Sequence, residues 1–239
     1  MNQKLESKGI SWLRIFILLL NYTAGYMFFY PMLLVWSSKI FHFSYIQYQI
    51  ATFLIYVFMI FVSLIVAWPL LKESYTKQRE FRKFIESILL MFVAVYVINI
   101  LTSGIISLLT GLESSENQTG IITAFYANPL LISFSTLIYA PIVEEITFRG
   151  AVFRPLRKYT NFWISALISG ILFGFIHVMD SLFIGNFIDL SFMLTYASLG
   201  FLFCFCYEKN KSIFAPMLLH FLNNGLGVIG ILLSIFLGM

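Results

Sequence analysis

Seven apolar runs, near residues 12–36, 48–71, 84–109, 121–148, 161–180, 187–207 and 212–239, constrain this chain more than any other feature. Each is close to the ~20 residues needed to cross the hydrocarbon core of a bilayer, where the backbone must satisfy its own hydrogen bonds. The expected fold class is therefore all-α: a polytopic transmembrane helical bundle of seven helices, or eight if the last run breaks at Asn223-Asn224-Gly225. Composition supports this, because 60% of the 239 residues are hydrophobic and 11% charged, more apolar surface than a water-soluble core of this size could bury. Met1 to Ile10 lead into a run too long for a signal-peptide core and without a small-residue cleavage site, so a retained first helix is expected.

Basic residues set the orientation. Lys4, Lys8 and Arg14 precede or open the first run; Lys72, Lys77, Arg79, Arg82 and Lys83 follow the second. Arg149, Arg154, Arg157 and Lys158 follow the fourth, and Lys209 and Lys211 the sixth, so 14 of the 15 Lys and Arg share one side of a seven-pass arrangement, with Lys39 opposite. That side is expected to be cytoplasmic, with the N-terminus inside and the charged stretch 72–83 a solvated loop. Segments 110–120 and 180–189 carry only acidic charges, Glu113, Glu116, Asp180 and Asp189. A net charge of +4 distributed in this way reads as a topology signal and not as a nucleic-acid surface. Trp12, Trp36, Trp68 and Trp163 sit near run ends, as interfacial rings do. Cys204 and Cys206 are two apart in an apolar run, pointing to different sides of a helix, and imply neither a disulfide nor a thiolate metal site.

Against this apolar background the polar residues stand out. Pro141-Ile-Val-Glu144-Glu145-Ile-Thr-Phe-Arg149-Gly150 places two carboxylates and an arginine in a spanning run, where one such group costs about 2.5–3.5 kcal/mol. Glu145 and Arg149, four apart, share a helical face; Glu144 points about 100° away. That suggests a division in which Glu145–Arg149 holds local structure and Glu144 faces a cavity as the reactive carboxylate. Pro141 cannot donate to the carbonyl of Leu137, which predicts a kink. In the next run Phe173 and His177 lie on one face, so the ring can pack beneath the imidazole; in the last, His220 and Asn224 are again four apart. Counted along the helices from the basic side, Glu144 and His220 lie at similar depth, whereas His177 lies ~10 Å deeper.

Glu144-Glu145-x-x-x-Arg149, Phe173-x-x-x-His177 and His220-x-x-x-Asn224, in this order on successive helices, resemble the three signature motifs of the CPBP intramembrane proteases. This family groups type II CAAX prenyl endopeptidases with bacterial proteins linked to bacteriocin processing and self-immunity. The resemblance covers roughly residues 125–230, dividing the chain into three N-terminal spans, 1–120, and a catalytic core, 121–239. It implies an endopeptidase of the metallo- or glutamate-dependent kind in a bacterial cell membrane. Glu144 and His177 would activate water, His220 and Asn224 would stabilise the oxyanion, and Glu145 and Arg149 would support the first motif helix. The implied partners are the lipid bilayer and a membrane-associated peptide or lipidated-protein substrate.

Zinc stays open as a cofactor. Glu144, His177 and His220 are candidate ligands, but no His-Glu-x-x-His helix is present and Asn is an unusual zinc ligand. Metal-independent water activation is the reading adopted here. Two other functions fit the same residues: a transporter with an intramembrane polar site, and a non-catalytic immunity protein that occupies a toxin or its receptor.

Overall fold

The computed structural model describes residues 10–76 and 80–238, and among these it is helical with no strand. Lys4, Lys8, Lys77 and Arg79, which entered the orientation count, lie outside the described residues. Seven helices are long and apolar enough to span a membrane: α1 (Trp12–Phe41), α2 (Tyr45–Val66), α4 (Phe81–Thr110), α6 (Pro129–Leu156), α7 (Phe162–Phe183), α8 (Phe187–Asn210) and α9 (Phe214–Leu237). Two shorter helices, α3 (Trp68–Thr76) and α5 (Glu116–Ala127), lie between them. The chain is thus an integral membrane protein, with seven spans among the described residues. Helix α9 runs unbroken through Asn223-Asn224-Gly225.

Two expected boundaries are corrected. The stretch 72–83 is not a loop throughout: α3 continues to Thr76, and α4 begins at Phe81. The fourth span starts at Pro129 and not near 121, because the Asn128 side chain accepts the N–H of Leu131 and Pro129 occupies the first turn, where its missing N–H costs nothing. The same helix continues to Leu156, past both carboxylates and Arg149. Pro141 is accommodated by a widened π-helical turn over Ser135–Tyr139, and a second π-helical stretch, Ile146–Phe153, follows Glu145. Such turns are uncommon and concentrate at functional sites.

The two ends of the bundle differ in charge. At one end Arg154 pairs with Glu73, Arg157 Nη2 lies 2.9 Å from Glu208 Oε1, and the backbone N–H of Ile213 donates to Ser74. Arg14, Lys72, Arg82, Lys83, Lys158, Lys209 and Lys211 also belong to this basic end by their place on the helices. At the other, acidic end the N–H of Glu116 donates to Asp189 Oδ1 at 2.9 Å, and Ser181 Oγ donates to Asp189 Oδ2 at 2.5 Å. The four tryptophans are 62–67% exposed, placing their rings on the lipid-facing surface near helix ends. Cys204 and Cys206 are free and buried.

Helices α7 and α8 pack closest, and glycines permit it. A Cβ at Gly170 would come 2.7 Å from the Ala197 carbonyl oxygen; at Gly174, 2.8 Å from the Ala197 nitrogen; at Gly200, 2.9 Å from Gly170 Cα. The obstacles are backbone atoms that no rotamer change moves, as expected where small residues let membrane helices approach. Gly200→Ala should therefore lower stability by about 1–3 kcal/mol through forced separation. Thermal unfolding in detergent measures this; Gly104→Ala, facing open space, is the control.

Candidate active site in the bundle interior

Glu144 sits near the middle of α6, 7% exposed, whereas Glu145 and Arg149 are completely buried. Arg149 Nε lies 3.1 Å from Glu145 Oε2, and Arg149 Nη2 donates to the Gly200 carbonyl at 3.0 Å. Its guanidinium carbon is 4.7 Å from the Phe173 ring centroid and 5.1 Å from that of Phe203. A planar cation held by a carboxylate, a carbonyl and ring faces is matched in charge and shape, which makes its burial tolerable. The absence of a side chain at Gly200 brings α8 close enough to α7 for its carbonyl to sit under the arginine.

The second oxygen of Glu145 takes a different partner. Its Oε1 lies 2.9 Å from His220 Nδ1, and the imidazole stacks on Phe203 at 5.0 Å. One carboxylate thus ties α6 both to its own next turn and to α9. An ionised Glu145 only accepts, so Nδ1 carries a proton and Nε2 is the nitrogen left over. His220 can donate from Nε2 only as imidazolium.

His177 is held comparably. Its Nδ1 is 2.8 Å from the Phe173 carbonyl oxygen, an acceptor, so the proton is on Nδ1 and the lone pair on Nε2. Phe173 on one side, 4.4 Å away between centroids, and Tyr196 on the other, at 4.7 Å, restrict the ring. Nε2 faces Glu144 Oε2 at 3.9 Å, so two acceptor atoms confront each other beyond direct hydrogen-bond range. The depth difference of ~10 Å expected from the sequence shrinks to ~4–5 Å when counted from the helix ends themselves, Leu156 of α6 and Phe162 of α7, which side chains can span.

Asn224 donates to the Thr136 carbonyl at 2.9 Å, in the π turn before Pro141. Its oxygen accepts from Asn223 Nδ2 at 3.2 Å, and Asn223 accepts from Asn99 Nδ2 at 3.0 Å. This chain of amides holds the Asn224 –NH2 on the α6 side, with one N–H to spare. Glu144, His177, His220 and Asn224 all line one cavity of about 220 Å³, and Glu144 and His177 also line a second of about 690 Å³. Glu144, His177 and His220 do not converge as a metal cage: among the described residues no three His, Cys, Asp or Glu side chains do so. As placed, they do not fit a tetrahedral zinc ion.

Sequence reasoning missed the contributions of the first half. Tyr22 and Tyr26 of α1 line the larger cavity beside Glu144, with Tyr22 completely shielded and edge-on to Phe148 at 5.6 Å. Asn99 of α4 starts the amide chain. Asn117 lines both cavities. Asn99 did carry a signal, a lone amide within the apolar run Val97-Ile98-Asn99-Ile100-Leu101.

Fold and site together define an all-helical membrane protein with a carboxylate–imidazole centre inside its bundle. Residues 126–226, which contain all three motifs, match the Rce1-like type II CAAX prenyl endopeptidase family. The chain is 37% identical over 117 residues to YdiL of Bacillus subtilis (strain 168), covering 49% of this chain and 43% of that protein. It is 28% identical over 130 residues to the membrane-embedded CAAX protease MroQ of Staphylococcus aureus (strain USA300), covering 52% and 48% respectively. The chain thus spans about half the length of the curated relatives it matches. No solved structure matches it.

Proposed function

We propose that this protein is an intramembrane endopeptidase that hydrolyses a peptide bond of a membrane-associated peptide or protein in a bacterial cell membrane. The observation that carries this reading is the 3.9 Å separation of Glu144 Oε2 and His177 Nε2 at the junction of two cavities. Two acceptors so spaced suit a water molecule that donates to both, which fixes its lone pair toward a carbonyl carbon placed in the cavity. As the water oxygen bonds to that carbon, Glu144 takes the proton. The resulting oxyanion receives the spare N–H of Asn224 and Nε2–H of the His220 imidazolium. The C–N bond then breaks as Glu144 passes its proton to the leaving nitrogen, giving a carboxylic acid and an amine. No step is routed through a metal.

The pH dependence follows from these roles. Rate should fall on the acid side as Glu144 becomes protonated and loses its function as base. A rate that rises on acidification would contradict an ionised Glu144 as the base. Hydrolysis itself is tested by reconstituting the protein with an internally quenched apolar peptide in 18O-enriched water. The new C-terminus should gain one heavy oxygen. Intact peptide bound stoichiometrically or moved across the bilayer would indicate an immunity or transport function instead.

A further inference from the structure

The two cavities that meet at Glu144 and His177 run to the same end of the bundle. The larger passes between α1, α2 and α5 to Gln49, Asn117 and Asp180; the smaller is lined by Ser135, Asn117 and Gln118. These positions are at the acidic end. Toward the basic end the site is closed. Glu145 and Arg149 are fully buried directly below Glu144, and Ile146, Phe153 and Ile213, each 0% exposed, continue the plug. The Arg154–Glu73 and Arg157–Glu208 pairs cover it.

The bundle therefore has a sealed basic end and an open acidic end, and the excess of Lys and Arg marks the cytoplasmic side. We propose, resting on the hydrolase reading above, that substrate reaches Glu144 from the extracytoplasmic side. The substrate class is a peptide segment at the outer leaflet, apolar where it lies against the tyrosine wall and basic where it passes Asp180. Tyr26, Tyr48 and Tyr56 line the larger cavity, and no Lys or Arg does so among the described residues. Aromatic walls favour an apolar segment, and an unopposed carboxylate at the mouth favours a cation and repels an anion.

Access can be read without turnover. Ser135→Cys places a thiol in the smaller cavity, and the native Cys204 and Cys206 are buried and give little background. A charged methanethiosulfonate cannot cross the bilayer, so it should modify Ser135→Cys on the order of ten-fold faster in right-side-out than in inside-out vesicles. Faster modification in inside-out vesicles, or equally slow modification in both, overturns the proposal. Gln118→Cys gives the same reading if Ser135→Cys does not accumulate. An apolar peptide with a lysine tail, added outside, should slow the modification, and the same peptide with a glutamate tail should not; equal protection overturns the charge match. Because modification reports access alone, an inactive wild-type protein would defeat the hydrolase reading while leaving this result intact.

Discussion

Glu144→Gln is expected to reduce peptide turnover by about 10²–10⁴-fold in kcat, the span associated with loss of a general base. The substitution keeps the side-chain volume and leaves KM within a few-fold, because Glu144 supplies a proton acceptor and makes no required ground-state contact. Glutamine retains an acceptor oxygen but takes up no proton at working pH, so the water can still be held and not activated. Fold should be retained: Glu144 borders two cavities, and it is Glu145 that binds Arg149 and ties α6 to α9. Glu113→Gln, at an exposed position outside the bundle interior, should leave turnover unchanged and serves as the matched control. Equal activity in the two variants would remove Glu144 from the chemistry.

Arg149→Ala should be the most destabilising single substitution at this site, by about 3–5 kcal/mol, the cost of leaving a buried carboxylate without its partner. The arginine joins Glu145, the Gly200 carbonyl and the faces of Phe173 and Phe203, so its removal affects α6, α7 and α8 together. Arg149→Lys keeps the charge and loses the planar fork, which cannot then reach Glu145 and Gly200 at once, and it too should damage the protein. The contrast is Arg82→Ala, whose ion pair with Glu86 is exposed and should contribute roughly 0–1 kcal/mol. Thermal unfolding in one detergent ranks all three. A wild-type melting temperature for Arg149→Lys would show the pairing at Glu145 to be idle.

The polar centre was legible because hydrocarbon makes each of its members conspicuous. Glu144, Glu145, Arg149, His177, His220 and Asn224 lie within or at the end of strongly apolar runs, and four-residue spacing tells which of them share a face. Spacing along one helix is silent about partners on another. That His220 meets Glu145, and that Asn224 is held through Asn223 by Asn99, depends on how α9 packs against α6 and α4. The start of the fourth span was misplaced for a local reason: hydropathy averages over Asn128-Pro129, whereas the backbone ends one helix and begins another there. Stretch 72–83 failed differently, since charge read as a loop is equally compatible with the exposed face of a helix. The tyrosines of α1 carried no signal, because tyrosine is ordinary near membrane interfaces and becomes part of a site only when a π-helical turn, Asn21–Phe29, places it inside the bundle.

Metal content measured on turnover-competent protein decides whether Glu144 and His177 activate water by themselves. Water activation by these two side chains alone predicts well under one equivalent of zinc per chain at full activity and a rate nearly unchanged by prolonged chelation. It also predicts that His220→Ala lowers the rate by about 10²–10³-fold, as for a lost oxyanion donor, with metal content unaltered. Stoichiometric zinc that disappears in His177→Ala or His220→Ala, with activity restored by added zinc, would contradict it.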